Sequence, residues 1–316
     1  MPTVLHSRLV NDSRVKNKFL SVLGVLAAGA LTLSMAACSG AADSASGSAE
    51  DAETSTIVIG ADDGTEAHWT ILKDKLADEG IELEVRTIND GVQLNQGVQD
   101  GELDVNLFQH LIFLSQFNVN NEGTLVPIGA TAVYPLAIYS EEYTDVEDLP
   151  EGATVAVPNN PTNLARALLN LQRAGLVELK DGGNSLSTPD DIVSSSVEVL
   201  PVDANQTVTA LKDGSAQAAI VNNTQAQKGG LGDELIIFKE DLDDPELAPY
   251  INAFVVREDQ KDDPRWEKLI EAYHSAEVEE SVTELNQGNL QFKADWSAED
   301  LQAELTDLED QLRATQ

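Results

Sequence analysis

Cysteine is nearly absent from this chain: Cys38 is the only one among 316 residues. A lone thiol excludes an internal disulfide framework, so the core must hold by packing. Basic residues are scarce too, with 19 lysines and arginines against 55 aspartates and glutamates. That balance excludes nucleic acid as a partner, because the chain lacks the positive charge that displaces phosphate counterions. The chain also lacks a G-x-S-x-G elbow, an H-E-x-x-H helix and a phosphate loop. Beyond residue 37 the histidines are His68, His110 and His274, without metal-site spacing. No enzyme activity, cofactor or metal is expected.

What is present begins with an export signal. Arg8, Arg14, Lys16 and Lys18 precede an apolar run from Phe19 to Ala37 that ends in small residues before Cys38. This reads as a secretory signal over residues 1–37 with a long basic start, and the alternative is an uncleaved membrane anchor. Met35-Ala36-Ala37-Cys38 resembles the bacterial lipobox, in which the cysteine is lipidated and becomes the mature N-terminus. Removal of residues 1–37 leaves 15 basic against 54 acidic residues, a net charge of −39. A salty habitat and a need for solubility account equally for so much acid. Residues 38–56 are the lipidated cysteine and a small, polar, acidic stretch with no large apolar residue, which predicts a disordered tether. Its root-mean-square reach is roughly 20–25 Å.

From Thr56 the pattern alternates between short apolar strands and amphipathic helices. Strands are expected at Ile57 to Ile59, Ile81 to Ile88 and Leu103 to Leu107, with helices near Glu66 to Glu79 and Val92 to Gln99. A second block follows Gly152, with strands at Ala153 to Val157, Val197 to Leu200 and Ala216 to Val221. Such alternation predicts an α/β fold with mostly parallel sheets flanked by helices. Val98-Gln99-Asp100-Gly101 and Leu211-Lys212-Asp213-Gly214 form an internal echo, each a helix end leading into a strand. Ligands in open α/β sheets bind outside the carboxyl ends of strands, so two such blocks predict a cleft between them. Ser297 to Gln316 reads as a last amphipathic helix whose Leu301, Leu305, Leu308 and Leu312 stripe packs on the body; a partner-binding helix is the alternative.

The stretch from Ala153 to Gly175 carries the clearest site chemistry. It reads as a strand, a polar turn and a helix capped by Thr162, with Leu164, Leu168, Leu171 and Leu176 on one face and Gly175 as terminator. Arg166 then lies one turn inside a helix N-terminus, where a planar guanidinium and the helix dipole both suit a small anion. A solvated surface arginine is the alternative. Phe108 and His110 follow a strand, where aromatic faces suit an apolar or thioether side chain. His110 alone also reads as a structural histidine, and Asn222 alone as a turn asparagine. Asp241, Asp243 and Asp244 hint at calcium, but Glu246 and Asn252 stand where an EF-hand loop needs glycine and glutamate. Glu240 to Glu246 is therefore read as a solvated acidic loop.

Taken in order, GELDVNLFQH, VYPLAIYS, DLPEGATVAVPNNPTNLARALLNLQRAGLVELKDG and APYINAFVVRED resemble the NlpA/MetQ family of lipoproteins, the methionine-binding components of ABC importers. The resemblance spans about Ile57 to Gly288. It implies a two-lobed periplasmic-binding-protein fold of type II, with crossover strands near Val133 to Ser140 and Tyr250 to Arg257. The lobes would be 57–135 with 251–316, and 136–250, the first carrying 297–316 as a C-terminal extension. It also implies an amino acid, most simply methionine, bound between the lobes and delivered to an ABC permease with its cytoplasmic ATPase, on a membrane reached by the lipid anchor.

By position, Arg166 would clamp the ligand carboxylate with support from Asn163, and Asn222 and Asn252 would hold its polar groups. Phe108 and His110 would line the side-chain pocket, with Tyr134 beside the first crossover. His68 matches a first-helix histidine of the family, and a helix-capping or core role is its alternative. Gly91, Gln225 and Ile112-Phe113-Leu114 depart from the family pattern. These departures touch the side-chain pocket rather than the clamp, and keep open a different amino acid or a short peptide. A secreted enzyme on this scaffold and a surface lipoprotein with an interaction role are the readings from other classes.

Overall fold

The computed structural model describes residues 55–315. The expected signal, Cys38 and all but the end of the tether lie outside the described residues. Ser55 and Thr56, assigned to the tether, instead open the first strand. Among the described residues, no helix is long and apolar enough to cross a membrane.

Strand β1 (Ser55–Ala61) buries Ile57, Ile59 and Ala61 beneath α1 (Ala67–Asp78), whose Trp69, Leu72 and Leu76 complete one apolar layer. Strand β2 (Ile81–Thr87) pairs with β1 in parallel. Helix α2 (Gly91–Gln99) begins at Asp90, whose carboxylate accepts the Gln93 N–H at 2.9 Å. Then come β3 (Val105–Asn106), α3 (Leu111–Asn121) and β4 (Leu125–Ala130).

A passage through β5 (Ala132–Val133) leads to the second sheet, which opens with β6 (Ala137–Tyr139) and β7 (Ala153–Pro158). Helix α4 (Pro161–Arg173), β8 (Val177–Leu179), β9 (Ile192–Ser195) and β10 (Val197–Val202) follow. Helix α5 (Thr207–Lys212), β11 (Ala218–Val221), α6 (Asn223–Gly229) and β12 (Ile236–Phe238) end this part. The chain returns as β13 (Ala253–Arg257) and closes with α7 (Arg265–Tyr273), α8 (Ala276–Leu285), β14 (Gln291–Phe292) and α9 (Ala298–Arg313).

Two five-stranded sheets result, ordered β2-β1-β3-β13-β4 and β10-β7-β11-β6-β12. Each has three parallel strands and then a reversed one, β13 in the first and β6 in the second. The reversed strand is in both cases the one that enters from the other sheet. The sheets are thus joined by residues 131–136 and 239–252, and their echo ends alike: Gly101 and Gly214 hold φ of +76° and +77°, a left-handed stop that glycine adopts without strain.

Two local readings are corrected. Asn160, not Thr162, caps α4, its side chain accepting the Asn163 N–H at 3.1 Å. Pro161 then takes the first helical position, where its missing N–H costs nothing. Leu176 lies beyond the helix: its N–H bonds the Leu171 carbonyl at 2.8 Å while Gly175 turns at φ +74° and bonds Gln172, a Schellman stop. Helix α9 packs Leu301, Leu305 and Leu308 against α3, β4 and the 239–252 passage, with Leu312 only partly covered.

Candidate functional site

A cavity of about 230 Å³ opens at the carboxyl ends of β1, β3, β7 and β11, where both sheets deliver helix N-termini. Phe108, His110, Tyr134, Asn163, Arg166, Asn222, Asn252 and His68 all line it. Residues from both sheets and both passages therefore meet around one space.

Arg166 is 4 % exposed and is not a solvated arginine. Its Nε donates to Glu240 Oε1 at 2.9 Å, and its Nη2 donates to Glu240 Oε2 and to the Tyr134 carbonyl, the latter at 2.9 Å. The Tyr250 ring lies under the guanidinium, 4.1 Å from ring centroid to Cζ. Glu240 Oε2 also accepts the Leu136 N–H at 2.8 Å. This overturns the solvated-loop reading at its first residue: Glu240 is 6 % exposed, folded inward to neutralise a buried cation. The two-donor fork is thus taken by the protein itself. Nη1 alone has no protein partner among the described residues, and Arg166 lines the cavity.

His110 caps α3, its Nδ1 accepting the Phe113 N–H at 3.2 Å. That bond leaves the proton on Nε2, which donates to Asn163 Oδ1 at 3.0 Å. Burial and the Arg166 charge push its pKa down to about 4, so the ring is neutral at ordinary pH. Asn163 accordingly spends its oxygen on His110 and keeps Nδ2 for the cavity. Asn222 caps α6 through the Gln225 N–H at 2.9 Å, leaving its Nδ2 likewise. Asn252 is fixed by its backbone, with its N–H on the Ala132 carbonyl and its carbonyl accepting from Thr131 at 2.8 Å. Its Nδ2 donates to the Tyr250 carbonyl at 3.3 Å, which turns Oδ1 free. Donors from Arg166, Asn163 and Asn222 and an acceptor from Asn252 suit a small zwitterion.

Phe108 and Phe113 meet edge to face at 5.7 Å, Phe113 and His110 at 6.3 Å, and His110 and Tyr250 at 5.4 Å. These contacts link Phe108 through Phe113, His110 and Tyr250 to Arg166. Tyr134 contributes its carbonyl to Arg166, while its hydroxyl bonds Tyr273 and burial raises its pKa. His68 is 3 % exposed, with Nε2 3.7 Å from Asp63 and Nδ1 without a hydrogen-bond partner among the described residues. Burial lowers its pKa.

Glu240, Tyr250 and Asp62 line or support the site without having been expected there. Burial and the neighbouring Asp63 push Asp62 up to about 7. No local signal marks Glu240 among its acidic neighbours, since its partner lies 74 positions away. Asp62 had a signal, an acidic pair directly after a strand at a sheet's carboxyl edge. Among the described residues no cluster of histidine, cysteine, aspartate and glutamate could hold a metal ion.

Comparison with known proteins gives concordant matches. The family model described as NlpA lipoprotein matches residues 57–293. The D-methionine-binding lipoprotein MetQ of Salmonella typhi is 37 % identical over 244 residues, covering 76 % of this chain and 89 % of that protein. The substrate-binding protein of a methionine transporter from Streptococcus pneumoniae superposes with TM-score 0.70 at 34 % identity, over 75 % of this chain and 95 % of that one. A nutrient-binding protein from Burkholderia cenocepacia, solved bound to methionine, superposes with TM-score 0.68 at 32 % identity, over 75 % and 99 %. These proteins share the two-lobed α/β fold.

Proposed function

The chain belongs to the NlpA lipoprotein family, and from that premise we propose that it captures an amino acid, methionine first of all, between its two lobes for an ABC permease. It is a binding component of a transporter rather than an enzyme. One observation carries this reading: a single cavity is lined both by the free donors of Arg166, Asn163 and Asn222 and by the Phe108–Phe113 pair. Drug-sized ligands occupy pockets of about 300 Å³ and more, so a space of about 230 Å³ suits a single amino acid.

In this reading the ligand carboxylate meets Arg166 Nη1 and the amides of Asn163 and Asn222, while Asn252 Oδ1 accepts from the ammonium. Phe108, His110 and Phe113 flank the side chain, favouring a polarisable thioether. Tyr134 and His68 complete the wall. The lobes are residues 55–135 with 251–316, and 136–250, closing about residues 131–136 and 239–252. Cys38 is lipidated after removal of residues 1–37, which holds the protein on the outer side of the cell membrane. The tether lets the closed form reach a permease powered by a cytoplasmic ATPase.

Calorimetric titration of the purified chain, unfolded and refolded to strip carried-over ligand, tests the reading. L-methionine, D-methionine and the other amino acids form the panel. Saturable one-to-one binding of a methionine enantiomer is expected. A folded protein that binds no member of the panel would overturn it.

A further inference from the structure

Gly91 opens α2 and lines the cavity. It is not among the glycines with positive φ, so the backbone there does not require glycine. A helical position normally favours alanine over glycine by roughly 0.5–1 kcal/mol. The reason for glycine is therefore space. A Cβ at this position would lie 2.7 Å from Phe108 Cε2 and 3.0 Å from Phe113 Cζ. Carbon atoms in contact sit about 3.5–4.0 Å apart, so the missing methyl group is where the Phe108 ring rests.

Phe108 is half-buried and stands between β3 and α3. Its ring meets a methyl group at 91 with its far edge, which moves more readily than backbone would. On one side stands Gly91 and on another Phe113, so the open direction is the cavity that Phe108 lines. We propose that Gly91 is a specificity-determining residue: by leaving room for the Phe108 ring, it sets the depth of the pocket beside that ring and so the longest unbranched side chain the protein takes. The inference rests on the amino-acid-binding reading and adds to it a selector that touches the ring rather than the ligand.

The test is calorimetric titration of the full chain and its Gly91→Ala variant with 2-aminobutyrate, norvaline, norleucine and methionine. Gly91→Ala is expected to weaken norleucine and methionine at least tenfold and 2-aminobutyrate less than threefold, with the thermal midpoint unmoved. In a Phe108→Ala background the same substitution should lose its length dependence, because the ring that transmits it is gone. An equal loss across the series, no loss, or a length dependence that survives without Phe108 would overturn the inference. A wild-type chain that binds none of the four or any other amino acid is a separate failure: it removes the amino-acid reading and the inference with it.

Discussion

Arg166 on α4 and Glu240 on the returning passage form a doubly bonded, buried ion pair, with Nε to Oε1 at 2.9 Å. Glu240 also holds the Leu136 N–H and Arg166 the Tyr134 carbonyl, so the pair ties α4 to both passages between the sheets. The cation lining the cavity is thereby compensated, and it offers one edge rather than a fork. Affinity and stability are consequently linked through one residue.

Replacing Arg166 by alanine should cost both. A buried pair that loses one partner loses about 3–5 kcal/mol when the remaining charge is stranded, and here Arg173, 3.8 Å from Glu240, offsets part of that loss. Denaturant unfolding of Arg166→Ala should show that loss, and methionine titration should show at least a hundredfold weaker binding. Glu240→Gln, which keeps shape and one acceptor, should lose less stability than Arg166→Ala. Equal stability of wild type and Arg166→Ala would mean that Arg173 compensates Glu240 without Arg166.

His110 should give stability a pH dependence of known sign. Its folded pKa of about 4 lies below its ordinary 6.5, so the unfolded chain binds the proton more tightly. Its contribution is full above about 6.5 and is lost as pH falls towards 4, by up to about 3 kcal/mol. His110→Asn retains a capping side chain without the titration. The difference in unfolding free energy between wild type and this variant, measured from pH 7 to pH 4, should therefore shift against the wild type at low pH.

Asp62 should act in the opposite sense. Its pKa is raised from 3.8 to about 7, so the folded state binds the proton more tightly, and the stability this brings is lost as pH rises through about 7. Asp62→Asn should melt higher than wild type at pH 8 and gain less or nothing at pH 5. Thermal scans at the two values check it.

The C-terminal helix belongs to the core. Leu305 on α9 is 1 % exposed and packs with Leu114, Phe117 and Val255. Leu305→Ala should cost about 2–5 kcal/mol by denaturant titration, as deep leucine truncations do. A loss below about 0.5 kcal/mol would make α9 a detachable arm.

The sequence discloses what is local. Alternating periods expose the strands and helices of both sheets, and the polar turn before α4 marks Arg166 by its place in the first turns of a helix, although its partners Tyr134, Glu240 and Tyr250 are remote in the chain. Thr162 and Asn160 are both able caps, and Pro161 decides between them by occupying the first helical position. Pairings of two to four residues, β5 with β14 and β8 with β9, leave no period to detect. Glu240 is hidden for another reason: only the folded chain distinguishes it from the acids beside it. Phe108, His110, Asn163 and Asn222 could be placed around the site from the resemblance, but not which of their atoms are already bonded. His110 and Asn222 spend one acceptor each on capping their own helices.

The most direct measurement compares methionine with methioninamide by calorimetric titration of the stripped full chain. If the carboxylate docks on Arg166 Nη1 and the amides beside it, the amide should bind at least a hundredfold more weakly, since a buried charge-assisted contact is lost. Equal affinity for the two would contradict the account, because the ligand's carboxylate would then lie away from Arg166.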